Sequence, residues 1–258
     1  MVVGMETNII YNEDCLVGMD KIEDKSIDMI LCDLPYGTTA ACKWDSVLPF
    51  DKLWKQYDRI IKDDGVIALF GAQPFTSVLI CSNLELYRYS WIWKKNTATG
   101  FLNCNYAPLK AFEDVCIFSK CTVGSASKNK IRYYPPGLVA IDKVKHNNPN
   151  SKFRQSQGYE SKNNIINSNK EFVQKYKGYP NNILCFDRDS NPIHPTQKPV
   201  ALCEYLINTY TKPGEIILDN CMGSGTTAMA AINTGRLYIG FELDKAYYDK
   251  SKERIKGV

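Results

Sequence analysis

The chain has 258 residues and a net charge of +4, which suits one sizeable α/β domain, or one such domain with a smaller inserted module, and excludes two full-size independent domains. Its longest apolar runs, such as Val66 to Phe70 and Ile216 to Leu218, fall far short of the roughly 20 residues a membrane-spanning helix needs. No basic-then-apolar signal opens the chain, so a cytoplasmic location without membrane attachment is expected. Ten cysteines occur without a Cys-x-x-Cys pair, and His146 and His194 are the only imidazoles; buried free thiols and no metal site are expected.

Up to about residue 120, apolar strand-like runs alternate with amphipathic segments, the βαβ rhythm of a parallel sheet covered by helices. Ile27 to Cys32 predicts a short buried strand ending in Asp33. Phe50, Leu53, Trp54, Tyr57, Ile60 and Ile61 recur at helical spacing, which predicts a helix packed on the sheet. Gly65 to Gly71 predicts the next strand. Arg88 to Lys94 and Asp114 to Ser119 predict a later pair, antiparallel at one edge.

From Cys121 to Ser190 the rhythm stops. Twelve Lys or Arg stand there against five acids, an excess of +7, with Tyr133, Tyr134, Tyr159, Tyr176 and Tyr179 set among them. Such composition fits a solvated loop or a basic insertion that meets phosphates through Lys and Arg and bases through Tyr or Asn. After Pro192 the α/β rhythm returns: a helix opened by Pro199, a strand over Glu215 to Asp219, a helix over Thr226 to Asn233, a strand over Arg236 to Glu242 and a charged helix from Lys245.

Two motifs carry chemistry. In the first, ILDNCMGSGTTAMAA from Ile216, Gly223 and Gly225 remove side chains where the backbone passes close to a ligand, and the next helix offers free N–H groups. Glu242, at the tip of the following strand, is placed to accept hydrogen bonds from ribose hydroxyls. Gly223, Gly225 and Ala228 also fit a dinucleotide-binding pattern, but too few residues follow Glu242 to supply the remaining strands of such a domain. Those strands must come from the N-terminal half.

The second motif is Asp33-Leu34-Pro35-Tyr36-Gly37, just after an apolar strand, where open α/β sheets place their ligand sites. It resembles the Asp-Pro-Pro-Tyr signature of DNA amino-methyltransferases, and the Gly-rich segment resembles their S-adenosylmethionine-binding motif. The order, catalytic motif first and cofactor motif last with a basic insert between, is similar to the permuted β group of that family. The resemblance implies a Rossmann-like, seven-stranded, circularly permuted S-adenosylmethionine-dependent methyltransferase fold. Residues 1–120 and 190–258 would form the catalytic domain and 121–189 an inserted target-recognition region.

Residue by residue, the resemblance makes Asp33 the acceptor of a hydrogen bond from the target amino group. It places Pro35 in the turn whose carbonyl accepts a second, and Tyr36 on the flipped base. Leu34 departs from the commoner proline. S-adenosylmethionine would be held by Asp14 and Cys15 near its adenine, by His194, Thr196 and Lys198 beside its methionine part, and by Glu242 at its ribose. Asp219, Asn220, Cys221, Gly223, Gly225, Thr226 and Thr227 complete that set. Lys43, Lys128, Lys130, Arg132, Lys152 and Arg154 are the candidate contacts to double-stranded DNA. Thr38 to Asp45, which contains Lys43 and Trp44, offers two readings: a lid over a flipped nucleotide, or an ordinary surface loop.

The expected activity is methylation of the exocyclic amino group of adenine in DNA. Transfer to the 4-amino group of cytosine uses a similar site, and an RNA or protein methyltransferase shares the fold. A DNA-binding protein without catalysis is a further alternative, against which the intact motifs stand. No Pro-Cys occurs for a cytosine carbon-5 enzyme. Dimers occur in the β group, so a homodimer is one expected assembly.

Overall fold

The computed structural model describes residues 5–37, 46–124, 126–146, 171–190, 193 and 197–256. Two compact units divide the chain, one of Met1–Tyr134 with Asn181–Val258 and one of Pro135–Pro180. The basic stretch read as one insert from 121 to 189 is therefore split. Residues 121–134 and 181–189 belong to the first unit.

In the first unit the chain runs through β1 (Ile9–Tyr11), α1 (Cys15–Met19), β2 (Ile27–Cys32), α2 (Phe50–Ile60), β3 (Ile61–Gly71), α3 (Phe75–Ser82) and β4 (Tyr87–Thr99). A 3-10 turn at Phe101–Asn103 leads into β5 (Lys110–Phe118). The second unit holds an antiparallel pair, β6 (Val139–His146) and β7 (Glu171–Lys177). The first unit then resumes with β8 (Ile183–Cys185), α4 (Val200–Tyr210), β9 (Ile216–Asp219), α5 (Thr226–Asn233), β10 (Leu237–Phe241) and α6 (Lys245–Ile255).

One eight-stranded sheet results, in the order β1-β10-β9-β2-β3-β5-β4-β8. The pairs from β1 through β3 are parallel, while β5 runs antiparallel to both β3 and β4. Seven strands were expected; β8 is an eighth, parallel to β4 through Ile92 and Ile183. It takes the edge position expected of the β4–β5 pair. Three residues sufficed for it, too short a run to stand out in a polar stretch.

Period two sorts the central strands. Met29, Leu31, Val66, Ala68 and Phe70 face one layer, where α4 contributes Leu202, Leu206 and Tyr210 and α5 contributes Ala228 and Ala231. Ile30, Cys32, Ile67 and Leu69 face the other, against Leu53, Trp54, Tyr57 and Ile60 of α2 and Leu79 of α3. Burial on both faces explains why Met29 to Cys32 of β2 read as a continuous apolar run rather than an alternating one. On α2 the apolar stripe is buried while Lys52 and Lys55 stay exposed, as its amphipathic spacing requires.

Candidate active site

Parallel strands share a direction, so β2, β9 and β10 all end at one edge of the sheet. Asp33 follows β2, Asp219 closes β9 and Glu242 follows β10. The two motifs, far apart in sequence, thus meet because β2 lies beside β9. Together they line a cavity of about 620 Å³. Asp14, Cys15, Asp33, Pro35, Tyr36, Lys198, Asp219, Asn220, Cys221, Gly223, Thr226, Thr227 and Glu242 all reach its wall.

At one end of the cavity lies a buried charge cluster. Tyr36 donates its hydroxyl to Asp33 Oδ1 at 2.8 Å, and Lys198 Nζ donates to Asp33 Oδ2 at 2.5 Å. Lys198 also lies 3.2 Å from Glu113 Oε2, and Glu113 pairs in turn with Lys95. Two acids and two lysines therefore neutralise one another where single charges would be costly to bury. Burial pushes the Asp33 carboxyl above the ordinary aspartate value, with Lys198 pulling it back and Glu113 adding to the rise. Burial works the same way on Glu113, but Lys198 and Lys95 overcome it and hold that carboxyl below the ordinary glutamate value. Burial opposes the Lys198 charge, yet Asp33 and Glu113 keep its ammonium above the ordinary lysine value.

This cluster gives Lys198 partners that the sequence did not show. It was expected beside a cofactor, and it does reach the cavity wall, but its ammonium is occupied by Asp33 and Glu113 and lies 5.1 Å from the Phe70 ring centre. It is the counter-ion of the motif acid. Tyr36 stacks on Phe75 with centroids 4.8 Å apart, which fixes the plane of its ring. Glu113 and Lys95 were not found from sequence; the only signal was an acid at the head of an apolar run, FEDVCIF.

The other end is built from the Gly-rich loop. Gly223 takes φ 53° and donates its amide to Glu242 Oε2 at 2.7 Å, while Glu242 Oε1 accepts from the Asp244 amide at 2.8 Å. The acid after β10 thus pins the loop after β9. Burial raises the Glu242 carboxyl above its usual range. Asp219 accepts the Cys221 amide at 3.0 Å and is pushed up to about 6 by burial, against hydrogen bonds from Thr227 and Cys221. Asn220 accepts the Tyr57 hydroxyl at 2.5 Å, so α2 orients the start of the loop. Asp14 caps α1, accepting from Leu16 N at 2.8 Å, and holds Cys15 at the wall.

Several expected residues fall elsewhere. Gly225 does not line the cavity; it enters α5 at φ 78°, where a Cβ would stand 3.1 Å from Ser251 Cβ. Its smallness serves helix packing. Arg132 is paired with Asp28 at 3.0 Å, Asp64 at 2.7 Å and Glu215 at 3.0 Å. Those acids sit where β2, β3 and β9 begin, at the edge opposite Asp33. Lys128 and Lys130 lie on the turn after Cys121, bridged to Thr122, at that same far edge. All three therefore stand at the sheet edge away from Asp33. Lys43, Lys152, Arg154, His194 and Thr196, and the Thr38 to Asp45 segment, lie outside the described residues.

The wall suits a nucleoside carrying an amino-acid arm. It offers carboxylates at Glu242 and Asp14, a volume within the usual ligand-site range of roughly 300–1,000 Å³, and a cradle at Gly223. A Cβ there would meet nothing nearer than Cys221 O at 3.9 Å, so the space it would fill is open to a ligand. Among the described residues no group of acids, cysteines and histidines could hold a metal ion, and no helix is long and apolar enough to cross a membrane.

Comparison with known proteins agrees with this architecture. The sequence profile of the N6/N4-Mtase family, described as DNA methylase, matches residues 27–253. The type II methyltransferase M1.MboII of Moraxella bovis is 28% identical over 96% of this chain and 96% of its own length. The DNA adenine methyltransferase YhdJ of Escherichia coli K12 is 27% identical over 98% of this chain and 84% of its own. Among solved structures, the M1.HpyAVI–SAM complex superposes with a TM-score of 0.60 at 22% identity, covering 95% of this chain and 98% of that one. The cytosine-N4-specific PvuII DNA methyltransferase gives 0.66 at 16% identity, covering 97% and 87%.

The Rossmann-like sheet, with the Gly-rich loop at one end of its cavity and the Asp33–Tyr36 pair at the other, is the fold of S-adenosylmethionine-dependent methyltransferases. This chain belongs to the N6/N4 DNA methylase family, and it is an S-adenosylmethionine-dependent DNA methyltransferase.

Proposed function

We propose that the chain methylates the exocyclic amino group of adenine in double-stranded DNA. The observation that carries this reading is Asp33, an acid rather than a hydroxyl at the head of the tetrapeptide, held by Tyr36 and Lys198. An exocyclic amine is a poor nucleophile while its lone pair is delocalised into the ring. Asp33, accepting one of its hydrogens, favours the tetrahedral nitrogen and takes up the positive charge that develops there. A carbonyl of the Leu34–Pro35 turn would accept the second hydrogen. Bound S-adenosylmethionine supplies the electrophilic methyl group.

Preorganised acceptors of this kind contribute a few kcal/mol, about 3 to 4 for one oxyanion-hole donor. Tyr36, fixed by Phe75, offers a platform for a base drawn out of the duplex. Glu113 keeps Lys198 from being an undivided partner of Asp33, so the acid retains capacity for the substrate. The basic residues of the 135–180 unit, with Lys152 and Arg154, are assigned to phosphate contacts. The motif order supports a permuted member of the family.

The test is digestion to nucleosides of duplex DNA treated with the protein and labelled S-adenosylmethionine. N6-methyl-2′-deoxyadenosine is the expected product. Label on the 4-amino group of cytosine overturns the base assignment and keeps the chemistry; an absence of label in the DNA, with RNA labelled in a parallel incubation, overturns the DNA reading.

A further inference from the structure

The β4–β5 hairpin overruns the sheet on the side of the active site. β5 leaves β3 at the Gly71–Asp114 pair, but its pairing with β4 continues to Thr99 and Lys110. Because β5 is antiparallel to β3, residues 110–113 extend past the edge at which β2 and β3 end. At a rise of about 3.4 Å per residue the arm projects roughly 13 Å beyond that edge. Its root carries Lys95 and Glu113 of the charge cluster.

The tip of the arm is ordered and apolar. Gly100 turns the chain at φ 94°, and the Phe101–Asn103 turn is closed by Asn103 N to Gly100 O at 3.0 Å and Ala107 N to Asn103 O at 2.9 Å. On this scaffold Phe101 is 77% exposed, Leu102 97% and Tyr106 91%. Single exposed apolar residues need no explanation, but three on one tip do. Lys94 through Phe112 contain three lysines and no acid, and Lys94 and Lys110 are exposed. An apolar tip on an arm that carries two exposed lysines and no acid suits a polyanion with a stacked apolar interior. A second copy of the chain would instead bring like charges together across a two-fold contact.

We propose that Phe101, Leu102 and Tyr106 form a wedge that enters the DNA base stack and fills the space a flipped nucleotide leaves, while Lys94 and Lys110 meet the flanking phosphates. The proposal rests on the reading that the target base enters the Asp33 site. Apolar wedges of this kind are an established means of holding an unstacked step open, and aromatic contacts to bases are tolerant of sequence. The wedge therefore supports flipping, and it leaves the choice of recognition sequence to other residues.

The experiment uses the full chain and a duplex built on the site that modified-base sequencing of treated DNA identifies. Phe101→Ser/Leu102→Ser/Tyr106→Ser is compared with the unaltered protein on that duplex and on one with an abasic position opposite the target. These side chains are largely exposed, and cofactor titration checks that the variant is folded. The expected result is a loss of about tenfold or more in kcat/KM on the paired duplex, the scale of one lost base–aromatic stack, with most of it regained on the abasic duplex. An unimpaired variant overturns the wedge alone, as does an equal loss on both duplexes. A dimer that becomes monomeric with unchanged kcat/KM assigns the tip to a second copy instead. Treated DNA in which sequencing finds no modified base overturns the reading of the site and the wedge with it.

Discussion

Glu113 reaches Lys198 at 3.2 Å, and the same ammonium pairs with Asp33. The motif acid therefore shares its cation with a carboxylate from an antiparallel strand on the other side of β3. Sharing matters because a lysine given wholly to Asp33 would compete with the amino group that the acid must receive. It also keeps the buried cluster neutral, since Lys95 balances Glu113.

Glu113→Gln should lower methyl transfer by about 10- to 100-fold, a loss of roughly 1.4 to 2.7 kcal/mol in the transition state, while cofactor affinity stays within a few-fold. Glu113 raises Asp33, so its removal lets the Asp33 carboxyl fall. The acidic limb of the kcat profile then moves to lower pH. Adding Lys95→Met restores neutrality and should recover part of the rate. A profile that does not move would leave Glu113 a packing residue only.

Asp33→Ala should abolish methylation, at least about 10²- to 10³-fold down, with cofactor binding nearly intact, because the cradle lies at the far end of the cavity. On the proposed mechanism, activity of the unaltered protein requires ionised Asp33. Since burial raises that carboxyl, the rate should fall as pH drops through a value above the ordinary aspartate range. Single-turnover rates across pH, with isothermal titration of the cofactor, check both statements. Full activity in the alanine variant would remove the assigned role.

Asp219 carries a stability signature. An acid raised from 3.8 to about 6 in the folded state destabilises the fold above that value, by at most about 3 kcal/mol. The cost disappears as pH falls from about 6 toward 3.8. Asp219→Asn keeps an acceptor for the Cys221 amide, so it should unfold at a higher temperature than the unaltered chain at pH 8, with the gap closing at pH 5. A gap independent of pH would place the effect in packing.

Arg132 is expected to serve stability and not DNA. Arg132→Met strips a guanidinium from Asp28, which is only 2% exposed, and from Asp64 and Glu215. Lys62 still reaches Asp28 at 2.7 Å and softens the loss. Denaturant unfolding should show about 3 kcal/mol of destabilisation. Affinity for duplex DNA at fixed salt should be unchanged, and likewise for Lys130→Ala; a clear drop in either would return these residues to the interface.

The local features were legible because their causes are local. The apolar run Ile27 to Cys32, the amphipathic stripe of α2 and the glycines before α5 each follow from spacing along the chain. The two motifs could be placed on strand ends for the same reason, and their resemblance to the DNA amino-methyltransferases pointed to the family. Charge pairing obeys a different rule. Lys128, Lys130 and Arg132 read as a basic surface when counted along the chain, yet they sit at the edge of the sheet away from Asp33. Arg132 is spent on carboxylates from β2, β3 and the residue before β9. Lys198 read as a cofactor contact, and the sheet brings Glu113 and Asp33 to it as partners no segment of sequence could show.

Sequence alone determined that Asp33 and Gly223 each stand at a strand end, since a strand followed by a turn is written in neighbouring residues. Only the tertiary structure decided that β2 lies beside β9, that Glu113 completes the charge cluster and that the β4–β5 arm rises on the catalytic side. Those relationships depend on strand order and register, which are set by burial of both sheet faces at once rather than by any single segment.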